Sequence, residues 1–382
     1  MKTPLAWLQL SHERIRLAIA LAGIAFADIL MFMQFGFRDA LFESAVTLHR
    51  RFEGDIFLLS PDSTALIAME QFSQRRLYQA NGIEGVAEID PIYLDFAIWK
   101  NPITAEPRGI MVIGMNPESD VLNLQGLAEN RSRLKLEDTV LFDSASRPEF
   151  GPIPELYEQQ DRVTTEAGGR KLTVGGLFEL GASFGADGNL ITSDLNFLRL
   201  FSNRDRGLID VGVITLEPTA NPEIVLAKIR QKLPEDVLVL SKEEFVDFEK
   251  NYWESSTAIG FIFTLGAGMG FIVGMVIVYQ ILYTDVSNHL PEYATLKAMG
   301  YRDFYLLTVV LQEALILALL GYLPGFGISF FLYNMTKTAT SLPVMMTIDK
   351  AITVIILTVV MCVGSGAIAI RKLNEADPAD IF

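Results

Sequence analysis

The sequence predicts an α-helical membrane protein: four transmembrane helices plus one α+β extracytoplasmic domain carried on two helical stalks. Three observations carry this reading. Half of the 382 residues are apolar, and the mean hydropathy is positive, which excludes a disordered chain. Four apolar runs, about 17–37, 256–283, 304–333 and 344–370, are long enough to cross a bilayer, for which about 20 residues suffice. Nearly all of the net negative charge lies between the first two runs: residues 38–255 hold 22 Lys/Arg against 36 Asp/Glu, within a chain of net charge −15.

The N-terminal segment, 1–16, brings Lys2, Arg14 and Arg16 close to Trp7 and Leu8, a composition suited to a membrane interface. The run from Leu17 to Phe37 is broken only by Asp28 and Gln34. Ala25-Phe26-Ala27 loosely fits a signal-peptidase site, but the apolar character continues for ten residues beyond it, so an uncleaved span is expected. Phe37, Leu41, Ala45, Leu48 and Phe52 keep helical spacing, which predicts a first stalk over 38–53.

Residues 54–255 read as a soluble domain. Strands are expected at 55–60, at 86–100 with a break at Asp90-Pro91, at 108–115, 209–217 and 237–240, and helices at 66–81 and from Asn221-Pro222 to Leu233. The order β-α-β-β, a middle section, then β-α-β suggests a sheet with helices on one face, formed by 54–117 and 208–240. The turn-rich middle, 118–207, reads as a β-rich insertion. Ser241 with Glu244 makes a capping-box pattern, opening a second stalk over 241–255 that is expected to run into the second span without a break.

The loop between the second and third spans, 284–303, reads TDVSNHLPEYATLKAMGYRD. Pro291 suits a first helical turn, Glu292 and Lys297 complement the helix dipole, and Gly300 suits a left-handed stop. Tyr293, Leu296 and Met299 form one apolar stripe, so a short amphipathic helix is expected, either docking a partner or lying on lipid headgroups. With the N-terminus inside, the inner segments hold Lys2, Arg14, Arg16, Lys297, Arg302, Arg371 and Lys372, against Lys337 and Lys350 in the short outer loop. That bias places both termini, including the tail 371–382, in the cytoplasm and the acidic domain outside.

Chemistry is sparse. There is no G-x-x-x-x-G-K-[ST] and no H-E-x-x-H among the three histidines, His12, His49 and His289, so neither Walker-type nucleotide binding nor zinc proteolysis is expected. Gly181-Ala182-Ser183-Phe184-Gly185 matches G-x-S-x-G, yet turn residues follow where a nucleophile elbow needs a helix. A glycine-rich turn is the better reading. The acidic balance disfavours nucleic acid. Cys362 is the single cysteine, so redox compartment is not legible. Asp28 and Glu313 lie within apolar spans, where charged groups face protein or water; a polar helix contact is expected of them. Gly266, Gly270 and Gly274 at spacing four suit close helix packing, within the chain or in a dimer.

One span, a large ectodomain and three further spans resemble the permeases of MacB-type ABC transporters, the type VII group that includes FtsX and LolC relatives. The resemblance rests on PEYATLKAMG (Pro291 to Gly300), LQEALILALLGYLPG (Leu311 to Gly325) and DPAD (Asp377 to Asp380). VGGLFELGASFGADGNLITSD (Val174 to Asp194) is similar to the DevC branch of cyanobacteria, known for glycolipid export. MacB carries a fused ATPase domain that this sequence does not show. The resemblance therefore implies a separate ATPase subunit, of the DevA or MacB nucleotide-binding type, which would hold the ATP and magnesium; this chain would bind no cofactor and would not be an enzyme. It further implies a ferredoxin-like porter part, a homodimer in the plasma (inner) membrane, a periplasmic adaptor of DevB or MacA type and a TolC-like outer-membrane tunnel. Pro291, Glu292, Tyr293, Leu296, Lys297, Met299 and Gly300 would couple to the ATPase, and the stalks would carry the motion outward. An FtsX-like transmitter that regulates a cell-wall hydrolase is the alternative.

Overall fold

The computed structural model describes residues 12, 14–160, 162–301, 303–340 and 342–375; the DPAD segment and most of the N-terminal segment lie outside them. The chain forms two compact units, one from residues up to Ala40 together with those from Ala258, the other from Leu41 to Thr257. Helix α1 (Arg14–Ala45) is unbroken, and a turn at Val46 separates it from α2 (Thr47–Arg51).

The second unit follows in chain order: β1 (Ile56–Leu59), β2 (Phe72–Ser73), α3 (Arg75–Asn81), β3 (Val86–Lys100), β4 (Pro107–Met115), α4 (Leu127–Asn130), β5 (Thr139–Asp143), α5 (Ile153–Gln160), β6 (Val163–Ala167), β7 (Arg170–Phe178), β8 (Asn189–Ser193), α6 (Asp194–Leu200), β9 (Leu208–Ile209), β10 (Val211–Leu216), α7 (Pro222–Lys232), β11 (Leu238–Ser241) and α8 (Lys242–Asn251). Nine strands make one sheet in the order β11-β1-β10-β3-β4-β8-β5-β7-β6. The first four, β11-β1-β10-β3, are mutually antiparallel and have the ferredoxin-like order, with α3 and α7 as the crossovers.

β3 serves both halves. Its residues up to Ile92 pair with β10, and Tyr93–Lys100 pair with β4. The expected break at Asp90-Pro91 is absent: Pro91 lies opposite Gly212 inside the ladder, because the residue before a proline already prefers extended backbone. The expected insertion, 118–207, is rich in strands. Its strands continue the same sheet through the parallel β4–β8 pairing, and Trp99 opposite Ala167 brings β6 back to β3.

Successive residues of a strand point to opposite faces, and β1 buries both. Ile56 and Leu58 join one core with Trp99, Phe142, Phe150 and Phe197; Phe57 and Leu59 join the other with Met111, Ile113 and Phe245. The helices are therefore not all on one face, since α8 stacks its Phe245 on Phe57 at a ring distance of 4.4 Å. Of the helix expected at 66–81, only α3 forms. The preceding residues are claimed by long-range partners: the Leu66 N–H donates to Glu249 Oε2 at 2.7 Å, and Phe72 pairs with Ile209. Such tertiary bonds override local propensity.

The caps read from sequence form. Asn221 Oδ1 accepts from the Glu223 and Ile224 N–H groups, and Ser241 and Glu244 make a reciprocal capping box. The second stalk does not run on into the next span. After α8 the chain takes a π-helical turn, Tyr252–Ser256, and Thr257 is extended. Ser255 and Thr257 hydroxyls donate to the carbonyls of Asn251 and Trp253, local bonds that compete with a continuous helix.

The first unit is completed by α9 (Ala258–Asn288), α10 (Leu290–Ala298), α11 (Asp303–Thr340) and α12 (Ile348–Glu375). Among the described residues four helices are long and apolar enough to cross a membrane. Each outruns the apolar run that predicted it at one end or both; α9 takes up the start of the predicted 284–303 loop, and α12 begins at Ile348 rather than 344, after a stretch without regular secondary structure that includes Pro343.

Candidate functional site: the loop helix and its supporting spans

α10 begins one residue before Pro291 and closes as expected. Gly300 has φ +92°, a conformation glycine adopts without steric cost. The Tyr301 N–H then reaches back to the Leu296 carbonyl at 3.1 Å, the 6→1 bond of a Schellman stop. Glu292 is exposed. The side chains of Tyr293 and Lys297 lie outside the described residues.

The expected stripe divides. Leu296 is half-buried and packs with Val286, Val310, Leu307 and Ile370, so it seats the helix on its own bundle. Met299 is 64% exposed, and Tyr301, Phe304 and Tyr305 extend the apolar surface at 46%, 75% and 39%. Tyr301 and Tyr305 rings lie 4.8 Å apart. Tyr301 and Phe304, outside the expected helix, are the residues the sequence reading missed; an i, i+3 step that crosses a helix stop is invisible to a single-helix pattern.

The glycine row of α9 faces inside its own chain. A Cβ on Gly266 would meet Gln34, one on Gly270 would meet Leu30 and Met31, and one on Gly274 would meet Met361 Sδ at 2.3 Å and Ala27 Cβ at 2.6 Å. This face packs on α1 and α12, the within-chain alternative of the close packing expected from the spacing. Asp28 is fully buried, and its Oδ1 accepts from the Thr358 hydroxyl at 2.6 Å. Glu313 is also fully buried, its carboxyl facing that of Asp285 on α9.

In the other unit a buried acid and base link the two stalks. His49 Nε2 of α2 lies 3.5 Å from Glu249 Oε2 of α8, and Glu249 Oε1 accepts from Trp253 Nε1 at 2.7 Å. Burial lifts Glu249 from 4.5 to about 7, against the pull of the Trp253 and Leu66 N–H groups. Burial lowers His49 from 6.5 to about 3, against the Ala45 carbonyl. The two act with opposite signs. A carboxyl with a raised folded pKa contributes stability that is full below 4.5 and lost as pH rises to about 7. An imidazole with a lowered folded pKa costs stability as pH falls from 6.5 towards about 3. The slopes, each near ~1.4 kcal/mol per pH unit at most, cancel where they overlap. Relative to the parent, the Glu249→Gln chain should thus gain in thermal midpoint as pH rises from 4.5 to 6.5, because it lacks the carboxyl whose contribution fades there. A difference between the two chains that stays constant across that window would show that Glu249 does not titrate there.

The G-x-S-x-G segment is a turn. The Ser183 N–H donates to the Ala186 carbonyl at 2.8 Å, and the Ala186 N–H to Ser183 Oγ at 3.1 Å. Its feet are pinned by Asp143, which accepts from the Leu180 and Gly181 N–H groups and from Asn189 Nδ2. Burial raises the Asp143 carboxyl, these donors opposing it.

Residues 261–378 match the family model described as FtsX-like permease C-terminal. No curated protein matches the chain. Among solved structures, the periplasmic region of MacB from Actinobacillus actinomycetemcomitans is similar at 9% identity and TM-score 0.36, over 55% of this chain and 96% of that one. The extracellular domain of the noncanonic ABC-type transporter YknZ from Gram-positive bacteria is similar at 14% identity and TM-score 0.33, over 49% and 99%.

Proposed function

We propose that this chain is the permease subunit of an ABC exporter, a membrane protein that converts ATP hydrolysis by a separate subunit into motion of its extracytoplasmic domain. The observation that supports this most is the FtsX-like permease match over 261–378, inside which a capped loop helix leaves Met299, Tyr301 and Phe304 exposed. An ATPase pocket would take that apolar surface, with Glu292 and Lys297 at its rim, in the manner of helix-in-groove docking. ATP and magnesium belong to the partner. Motion would pass outward chiefly through α1, which is unbroken from Arg14 to Ala45, since Thr257 interrupts the second connection. A homodimer, a periplasmic adaptor of DevB or MacA type, a TolC-like tunnel and an amphiphilic cargo such as a glycolipid complete the reading, in line with the DevC-like phrase Val174 to Asp194.

The test is co-reconstitution with a neighbouring ATPase and adaptor. Stimulated hydrolysis that rises further with adaptor and amphiphile supports export. Stimulation that instead activates a cell-wall hydrolase supports the FtsX-like transmitter, which the family match also favours. Orientation is checked separately. Asp120 has a strongly exposed side chain, so Asp120→Cys in a Cys362→Ala background should be labelled from the extracytoplasmic side. Labelling from the cytoplasmic side alone would reverse the topology.

A further inference from the structure

The Gly181–Gly188 loop has a rigid base and an apolar tip. Asp143 holds Gly181 at one foot and Asn189 at the other, and the Ser183–Ala186 turn closes the end. At the tip Phe184 is 42% exposed, and Ile67, 38% exposed, lies where a Cβ on Gly185 would stand. Water-facing loop tips are ordinarily small and polar.

The tip is also tied to both segments that lead towards spans. The Phe184 N–H donates to Ser44 Oγ at 3.3 Å. Its ring stands edge-on to Trp253 at 4.7 Å, and Tyr252 meets Trp253 at 5.2 Å. Chain length alone then limits how far the tip can stand from a bilayer. Ser44 is seven residues beyond Phe37, in the unbroken helix α1, about 10 Å at ~1.5 Å per residue. Trp253 is five residues before Ala258, the first residue of α9. The headgroup region adds roughly 5–8 Å to each side of the hydrocarbon, and it is there that Trp and Tyr concentrate.

We propose that Phe184, with Ile67 beside it, is a membrane lip that sits in the phospholipid headgroup layer on the extracytoplasmic side. The proposal rests on α1 and α9 crossing a bilayer, but not on the identity of any transported substrate. Its stiff footing on Asp143 holds the aromatic tip out at the layer where an amphiphile would leave the membrane.

The full chain is tested with Cys362→Ala as background. A polarity-sensitive fluorophore is placed at Phe184→Cys, at Ile67→Cys, and at Ile272→Cys in α9, which is 60% exposed. Each is reconstituted in phosphatidylcholine vesicles with a spin label on the headgroup or at mid-chain. The expected result is at least twofold stronger quenching by the headgroup label at Phe184→Cys and Ile67→Cys, and by the mid-chain label at Ile272→Cys. Quenching at Ile272→Cys with none at the other two sites would overturn the lip while leaving the spans in place. Cross-linking between two copies at Phe184→Cys without lipid quenching would overturn it in favour of a self-contact. No quenching at Ile272→Cys would remove the bilayer premise itself.

Discussion

A Met299→Asp chain should insert and fold as the parent does, yet fail to stimulate ATP hydrolysis by its partner subunit. Met299 is 64% exposed and makes no part of the apolar cluster that seats α10, so its loss leaves the bundle intact. In a docked complex the new carboxylate would be buried without a partner, a change that costs several kcal/mol when the site cannot adapt. Losing a central anchor alone commonly costs about 2 kcal/mol, which weakens binding about 30-fold. Phe304→Asp, at 75% exposure, should behave alike. Leu296→Asp should differ, because Leu296 packs on Val286, Val310 and Ile370: it should lower the thermal midpoint as well as stimulation. The measurement is ATPase activity of the reconstituted complex, with the melting temperature of each variant beside it. Parent-level stimulation by both Met299→Asp and Phe304→Asp would mean that this face lies on lipid and the docking surface is elsewhere.

Gly274→Leu should disrupt the membrane bundle. A Cβ there would stand 2.3 Å from Met361 Sδ and 2.6 Å from Ala27 Cβ, and both neighbours are fully or almost fully buried. Overpacking of this kind costs about 1–3 kcal/mol and sometimes more; two helices would have to move apart, so a loss at or above the top of that range is expected. Gly268→Leu is the matched control, because nothing stands within 4 Å of its Cβ position; its effect should stay within about 0.5 kcal/mol. Denaturation of the purified chain in one detergent compares the two. Equal stability of the two variants would show that the α9 face does not carry the close packing described.

The two experiments separate the outward apolar surface from the inward one, a distinction that the sequence could not make. Helical spacing placed Tyr293, Leu296 and Met299 in one stripe, and it placed Gly266, Gly270 and Gly274 on one face. Spacing says which residues share a side of a helix. It does not say what that side meets. The partners of the glycine row, Ala27 and Met361, are more than 80 positions away in the chain, and no local pattern connects them.

Hydropathy, charge distribution and caps determined the four long apolar helices, the acidic domain between the first two, the loop helix with its Gly300 stop, the N-cap at Asn221 and the capping box at Ser241. All of these depend on residues within one turn or one run, whose physics is local. Only the tertiary structure decided the rest. It joined 118–207 to the main sheet through the β4–β8 pairing, delayed the start of the helix expected at 66–81 to Arg75 by giving the Leu66 N–H to Glu249, and paired buried Asp28 with Thr358. Each of these bonds links residues far apart in the chain, and a buried polar group takes whichever partner the fold brings to it, because leaving it unpaired costs more than any local preference supplies.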